Sequence, residues 1–293
     1  MSGPREDRQA AVTSGPGTEA PSAPSGGPLP AVELPTNCPG CGVGLAPEHL
    51  RVQAYVCDCG HHFRRHAEAW IALLADAGTW RERWAHLRPL DVLGWTKPRP
   101  YVATIERAAR QRLNEAVRVG PACLAGRPVV LAVFDFRFVG GTLSMVAGAR
   151  LARAFDLAAA ARRPYVLVAA SGGARMQEGV LALMQMAKVN AALSRFRRAR
   201  SPFVSVLTDP TFGGTPASLA LRGDVNIAEP GAAIGFTGPD VIVRATYQKL
   251  PPGFQSAEFQ LRAGQVDMVV PRTELRRRLA HLLDLHCRRW SWT

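Results

Sequence analysis

The chain has 293 residues, of which 47% are hydrophobic, so it can form one large domain or two small ones around a sizeable core. Its formal net charge of +13 favours anionic partners such as nucleic acid, phosphate-bearing cofactors or acidic proteins. Solvated, arginine-rich helix faces are the simpler explanation of that charge. No apolar run approaches the ~20 residues that span a bilayer, and no secretory signal follows the N-terminus. We therefore expect a cytoplasmic protein without a membrane segment.

Residues 1–35 are predicted to be a disordered tail. This stretch is rich in Pro, Gly, Ser and Ala and carries few large apolar groups, so it cannot bury enough surface to offset the entropy lost on ordering. A cysteine-rich module follows at residues 36–62. Residues 80–100, which contain three prolines, are expected to be irregular.

Hydrophobic periodicity predicts alternating helices and strands in the rest of the chain. The helical pattern covers residues 66–77, 101–119, 146–163, 176–200, 241–250 and 274–288, with a short helical element at 218–221. The strand pattern covers residues 129–138, 165–169, 203–207, 225–228, 233–236 and 266–270. Such alternation indicates an α/β protein with a largely parallel sheet. Apolar residues of the helix at 176–200 are expected to pack in the core: Met176, Leu181, Leu183, Met184 and Met186.

Four of the six cysteines lie between residues 38 and 59. Cys38 and Cys41 form a C-x2-C knuckle, and Cys57 and Cys59 form a C-x-C pair. Four thiolates at such spacings can close a tetrahedral structural zinc site. Because residues two apart in extended backbone point to opposite faces, the C-x-C pair requires local distortion, and His61 or His62 is an alternative fourth ligand. A ribbon that no longer holds metal is the remaining alternative.

Two double-glycine turns follow predicted strands, one at Gly172 and Gly173 and one at Gly213 and Gly214. Each precedes a predicted helix, an arrangement that leaves backbone N–H groups free to stabilise negative charge. Glycines that simply permit tight turns are the plainer explanation. No Walker or G-x-G-x-x-G pattern accompanies them, so the residues themselves do not indicate nucleotide binding. Two such turns in consecutive units favour a site built from main-chain donors.

The motifs together resemble one family, the β subunit of bacterial acetyl-CoA carboxylase carboxyltransferase. The resemblance spans about residues 36–285. It is carried by CGHHFR at 59–64, SGGARMQE at 171–178, LMQMAK at 183–188, LTDPTFGG at 207–214, GDVNIAEP at 223–230, IGFTGP at 234–239 and LPPGFQ at 250–255.

The resemblance implies a crotonase-like spiral of ββα units at residues 63–293, preceded by a zinc ribbon. The implied activity is transfer of a carboxyl group from carboxybiotin to acetyl-CoA, which gives malonyl-CoA for fatty acid or polyketide synthesis. Gly213 and Gly214 would be the catalytic donors to the thioester enolate. Glycines near the CoA would be Gly140, Gly141, Gly172 and Gly173.

The resemblance also implies partners and cofactors outside this chain. These are an α subunit in an α2β2 assembly, a biotinylated carrier protein and biotin carboxylase. ATP binding and nucleotide binding are further expectations from the resemblance. Three features depart from the family pattern: the C-x-C pair, the loosely matching residues 85–125, and the unusual composition of both termini. A paralogue acting on another acyl-CoA, a zinc-ribbon protein that binds nucleic acid, and a non-catalytic scaffold are the alternatives.

Overall fold

A mostly parallel sheet forms the centre of the computed structural model, which describes residues 35–287. Its strands run in the order β1–β2–β3–β4–β5–β7, and β6 pairs with β4. β1 and β2 are antiparallel, and every other pairing is parallel. The strands are β1 (Val117–Leu124), β2 (Arg127–Phe134), β3 (Tyr165–Ser171), β4 (Phe203–Phe212), β5 (Val225–Ala228), β6 (Ile234–Gly235) and β7 (Met268–Val269).

Helices cover both faces of this sheet. They are α1 (Pro47–Val52), α2 (Ala67–Leu74), α3 (Tyr101–Arg110), α4 (Met145–Ala160), α5 (Gly179–Arg198), α6 (Pro239–Thr246), α7 (Ala257–Arg262) and α8 (Arg272–Cys287). The tail predicted at residues 1–35 lies outside the described residues except for its last position, and so does the end of the helix predicted at 274–288. Among the helices at residues 35–287, none combines the length and the apolar character that crossing a membrane requires.

Alternation along the strands divides the core into two layers. On β2, Val130, Ala132 and Phe134 pack against α4 and α5. Val129, Leu131 and Val133, one residue out of phase, pack against α2 and α8 on the opposite face. Because successive side chains of a strand point to opposite faces, a strand that is apolar throughout must be covered on both sides. The predicted α/β architecture is confirmed.

The helix predicted at residues 101–119 is wrong beyond Arg110. α3 ends there, and the chain then enters β1, which forms a hairpin with β2 through Ala125 and Gly126. The apolar spacing of residues 113–119 fits a strand as well as a helix, and Gly120 and Pro121 disfavour helix. This hairpin places residue 115 at the edge of the sheet, close to the glycine turns. The short helices α1 and α7 were not predicted.

Candidate functional site

The four predicted cysteines converge on one point. The Sγ atoms of Cys38, Cys41, Cys57 and Cys59 all lie within 4.8 Å of one another. Cys38 Sγ is 3.7 Å from Cys59 Sγ, and Cys41 Sγ is 3.8 Å from Cys57 Sγ. Tetrahedral zinc with Zn–S bonds of about 2.3 Å separates its sulfur ligands by about 3.8 Å. The soft donor set and its spacing therefore fit a metal ion such as zinc.

A tight turn allows the C-x-C pair to take part. The Cys57 N–H donates to the His61 carbonyl at 2.9 Å, and the Gly60 N–H donates to the Cys57 carbonyl at 2.8 Å. Asp58 and Cys59 lie in the turn that these bonds close, not in extended backbone. The side chains of Cys57 and Cys59 consequently face the same side, as one metal site requires.

The surroundings favour the thiolate at Cys38, whereas at Cys57 and Cys59 a backbone hydrogen bond that lowers the pKa is outweighed by burial and the neighbouring thiols, which raise it. Burial raises the pKa of Cys38, but backbone hydrogen bonds from Gly40 and Cys41 and the neighbouring thiols of Cys57 and Cys59 lower it to about 7. The thiolate is the form that binds metal.

Neither candidate histidine joins the cysteines. His62 Nδ1 lies 2.8 Å from the Gly60 carbonyl, and His62 Nε2 accepts a hydrogen bond of 3.1 Å from the Arg272 backbone N–H. Both ring nitrogens of His62 are therefore engaged in the protein. His61 instead packs edge-on against Phe63, with ring centroids 4.9 Å apart. The four-cysteine set, not the histidine alternative, is the one that the structure brings together.

Arg272, at the start of α8, attaches the cysteine module to the sheet. Its guanidinium forms a two-bond ion pair with Glu229 at 2.6 and 2.7 Å, and both side chains are buried. The same guanidinium donates to the carbonyls of Ala54 and Phe63 and lies over the ring of Trp70. A second link joins Arg64 Nε to Asp209 Oδ2 at 3.1 Å. These bonds hold the module against the carboxyl ends of β4 and β5.

The predicted glycine turns meet in one cluster beside that edge. A β-carbon on Gly213, where φ is +72°, would lie 2.7 Å from the Gly173 Cα atom. A β-carbon on Gly141 would overlap the carbonyl of Ala170. Only glycine permits these backbones to approach so closely in these conformations. The glycine cluster, as the term is used below, comprises Gly140, Gly141, Gly172, Gly173, Gly213 and Gly214.

Hydrogen bonds occupy the N–H groups of Gly141, Gly172, Gly173 and Gly213 in the cluster. The Gly213 N–H donates to the Phe236 carbonyl at 2.9 Å, so it is occupied within this chain. Among the loop and side-chain hydrogen bonds of residues 35–287, neither the Gly214 N–H nor the Gly140 N–H is a donor. Gly214 and Thr215 begin the helical turn that leads into residues 216–220, where backbone N–H groups are left free. Of the two predicted donors, Gly213 and Gly214, only Gly214 therefore stays a candidate.

The expectation of free N–H groups at the first turn is wrong for Gly172 and Gly173. The Gly172 N–H donates to the Gly140 carbonyl at 2.8 Å, and the Gly173 N–H donates to Ser171 Oγ at 3.1 Å. α5 begins only at Gly179, after a short 3-10 turn. Gly172 and Gly173 therefore shape the cluster by close backbone approach and do not offer an anion site at a helix start.

A buried ion pair lies behind the cluster. Arg175 and Glu115 are both fully buried, and two guanidinium N–H groups contact the carboxylate at 2.7 and 3.2 Å. Arg175 also donates to the Thr142 carbonyl at 2.8 Å and to the Tyr101 hydroxyl at 2.9 Å. Burial lowers the pKa of Arg175, but Glu115 raises it above its ordinary value, so the guanidinium is charged. The pair connects the loop at 140–143 to the loop at 172–175.

The carboxylates complete the network. Tyr101 donates to Glu178 at 2.9 Å, and the Met145 N–H donates to the same carboxylate at 2.6 Å. Ser144 donates to Glu115 at 2.8 Å while it caps α4. Sequence reasoning missed Glu115 and Tyr101, because nothing local links Glu115 to Arg175, 60 positions away, or Tyr101 to Glu178, 77 positions away.

An apolar surface adjoins this network. Met176, Leu183 and Met184 are between 54% and 68% exposed, so their predicted burial is wrong. Leu183 and Met184 lie with Val180 at the i, i+3, i+4 spacing of one side of α5, and Met176 lies in the 3-10 turn just before the helix. We call these four residues the apolar face of α5. A contiguous exposed apolar surface of this kind marks an interaction site.

Residues 100–252 match the family model described as the carboxyl transferase domain. The chain is 47% identical over 254 residues to the acetyl-coenzyme A carboxylase carboxyl transferase subunit beta of a Synechococcus species, covering 85% of this chain and 80% of the relative. It is 48% identical over 253 residues to a Saccharopolyspora erythraea protein named as carboxyl transferase subunits beta/alpha, covering 86% of this chain and 44% of that protein.

The solved Pseudomonas malonate decarboxylase MdcD–MdcE heterodimer has the same fold. Its TM-score is 0.59 at 24% identity, over 82% of this chain and 90% of that chain. The expected crotonase-like fold is confirmed. Neither the family model nor these names support the ATP and nucleotide binding that was expected from the resemblance. The relatives are named as transferase subunits, which favours the transferase over the nucleic-acid interpretation.

We predict that the protein holds one zinc ion through the four cysteines. Cys59→Ser removes one ligand of a closed tetrahedral site and should lower the bound zinc to well below one ion per chain. Cys123→Ser, outside the cluster, and His62→Gln should both keep it. The measurement is the zinc content of each purified variant by mass spectrometry. Zinc loss in His62→Gln equal to that in Cys59→Ser would contradict the assigned ligand set.

We predict that Glu115→Gln lowers the free energy of unfolding by about 3–5 kcal/mol, because it leaves the buried Arg175 charge without its carboxylate. The matched control is Glu274→Gln, whose ion pair with Arg277 is exposed and should contribute at most about 1 kcal/mol. Urea denaturation of the three proteins measures both effects. Equal losses in the two variants would show that the buried pair has no special role.

Proposed function

The chain belongs to the acetyl-CoA carboxylase carboxyl transferase subunit beta family, and from that premise we propose that it transfers the carboxyl group of carboxybiotin to acetyl-CoA. The product is malonyl-CoA, the precursor of fatty acids or polyketides. The similarity to a named β subunit extends over 85% of the chain at 47% identity. Contact between the two double-glycine turns is the observation that carries the proposal.

The role of this chain in the reaction would be to stabilise the negative charge on the thioester oxygen. Carboxybiotin, presented by a separate carrier protein, would release CO2, and the biotin left behind would accept the proton. When the methyl group of acetyl-CoA loses that proton, negative charge develops on the thioester oxygen until the carbon bonds to CO2. The Gly214 N–H, held by a rigid backbone, would donate a hydrogen bond to that oxygen. A preorganised main-chain donor in a site shielded from water lowers the energy of such a state strongly.

The other glycines have a supporting role in this proposal. Gly213 brings the turn within contact distance of Gly173, and Gly140 accepts the hydrogen bond from Gly172. Gly140, Gly141, Gly172 and Gly173 would form the wall along which the CoA lies. A side chain at any of these positions would push that wall into the substrate.

Zinc would have a structural role. Four thiolates leave no open coordination position, so the ion would stabilise the fold of residues 36–62 and take no part in the reaction. Residues 63–293 would then form the transferase domain. Through Arg272 and Arg64, the ribbon is attached next to the strand ends that carry the glycine turns. A cytoplasmic location stays a prediction.

An α subunit would complete the site. The Saccharopolyspora erythraea relative is named for both subunits, and this chain spans 44% of it. The apolar face of α5 lies next to the buried network and is the surface we assign to that contact. An α2β2 assembly working with the biotin carrier protein and biotin carboxylase accords with this assignment. The names of the relatives favour acetyl-CoA over another acyl-CoA as acceptor.

We predict that Gly214→Ala lowers kcat for malonyl-CoA formation by about 10²-fold. The new β-carbon would overlap the methyl group of Met186 and move the N–H away from the substrate oxygen. The assay contains the α subunit, carboxybiotinylated carrier and acetyl-CoA. The control is Gly126→Ala in the β1–β2 hairpin, which has a φ of +79° but open space around it. Full activity of Gly214→Ala would remove Gly214 from the catalytic role.

We predict that Leu183→Glu prevents association with the α subunit, because it places a charge in the middle of the apolar face of α5. Leu261→Glu is the control, since Leu261 is 41% exposed on α7 outside that face. Sedimentation velocity of the mixed subunits gives the fraction in complex. Normal assembly of Leu183→Glu would show that the α subunit binds elsewhere.

A further inference from the structure

A cavity of about 460 Å³ lies between α3 and the irregular segment that precedes it. Its volume falls within the usual range for small-molecule sites. Ile105 and Leu113 line it from α3 and the following loop, and Phe138 lines it from the loop after β2. Leu113 and Phe138 are buried, so their side chains form a fixed apolar wall.

Two arginines give this cavity a positive charge. Arg88 and Arg112 line it, and the lining includes no acidic side chain. Within residues 35–287, neither arginine forms an ion pair. An apolar wall combined with unpaired guanidinium groups is complementary to a ligand that has an apolar body and an anionic head.

A third arginine, Arg150, is buried next to the cavity and adds to its positive charge. Arg150 is fully buried, and it donates to the carbonyls of Val117 at 2.7 Å and Leu87 at 2.8 Å and to Asn114 Oδ1 at 3.3 Å. Across the described part of the chain, it contacts no carboxylate. Burial lowers the pKa of Arg150, and so does the nearby positive charge of Arg88. Glu115 and Glu82 act in the opposite direction but do not cancel this effect, so the pKa lies below its ordinary value. A bound anion near Arg88 would relieve this repulsion.

We propose that this cavity binds a small amphipathic anion. Its apolar body would contact Ile105, Leu113 and Phe138, and its carboxylate or phosphate head would bind Arg88 and Arg112. The site is separate from the glycine cluster but adjoins the residues that support it. Phe138 precedes the loop at 139–141 and lies 4.9 Å from the Arg175 guanidinium, and Asn114 precedes Glu115. Binding itself does not depend on the carboxyl-transfer activity.

The test uses octanoate and the complex of this chain with its α subunit, or the isolated chain if the two do not associate. Isothermal titration calorimetry measures the Kd for octanoate, octyl phosphate, 1-octanol and octylammonium. The comparison of octanoate with octyl phosphate identifies the preferred head group. We expect saturable binding of at least one anion, at least about tenfold tighter than binding of 1-octanol or octylammonium. Equal binding of all four probes would overturn the anionic site.

Variants locate the site. Arg88→Gln combined with Arg112→Gln should weaken binding of the anion about tenfold or more. Ile105→Trp should weaken it by filling the cavity. Arg107→Gln combined with Arg110→Gln is the matched control, because these exposed arginines lie on α3 but do not line the cavity.

Three further results would overturn the proposal. One is the absence of saturable binding by either anion. Another is an unchanged Kd in the variant lacking Arg88 and Arg112, whose exposed side chains can be replaced without disturbing the core. The third is loss of octanoate binding in the presence of saturating acetyl-CoA, which would make the cavity part of the substrate site. Failure of malonyl-CoA synthesis with normal octanoate binding would contradict the proposed function and leave this site standing.

Discussion

The ion pair between Arg175 and Glu115 is the interaction on which the candidate site depends. Both side chains are fully buried, and their attraction offsets the cost of removing two charges from water only because every nearby donor and acceptor is paired. Thr142 and Tyr101 provide that pairing, and through them one guanidinium holds the loop at 140–143 to the loop at 172–175. The backbone conformations of the glycines are thereby determined by contacts outside the glycines themselves.

This arrangement explains how a site without a strong side-chain base can be catalytic. Parallel strands bring the turns after β3 and β4 to the same edge of the sheet, and close contact between Gly173 and Gly213 fixes the distance between them. The cysteine module is attached to that edge by Arg272. In our account, the protein contributes a rigid backbone with an available N–H at Gly214, and the reacting groups come from two substrates.

Local sequence patterns predict the metal cluster and the glycine turns, but they do not predict the long-range contacts that hold the site together. The cysteines and the double glycines are close in sequence, so their spacing already indicated a metal cluster and paired turns. Glu115 and Arg175 are 60 residues apart, and no local signal joins them. The strand at β1 was taken for helix because a short apolar segment fits both periods. The sequence predicts burial of Met176 and Met184, which are exposed in the structure, because composition alone does not separate a core from a contact surface.

The most direct measurement of the central claim is a crystal structure of the complex with the α subunit and a non-hydrolysable acetyl-CoA analogue. Our account predicts that the carbonyl oxygen of the acetyl group lies within about 3 Å of the Gly214 nitrogen, with the Gly213 N–H still bonded to Phe236. An oxygen bound by other groups, with the Gly214 N–H paired inside the protein, would contradict the account.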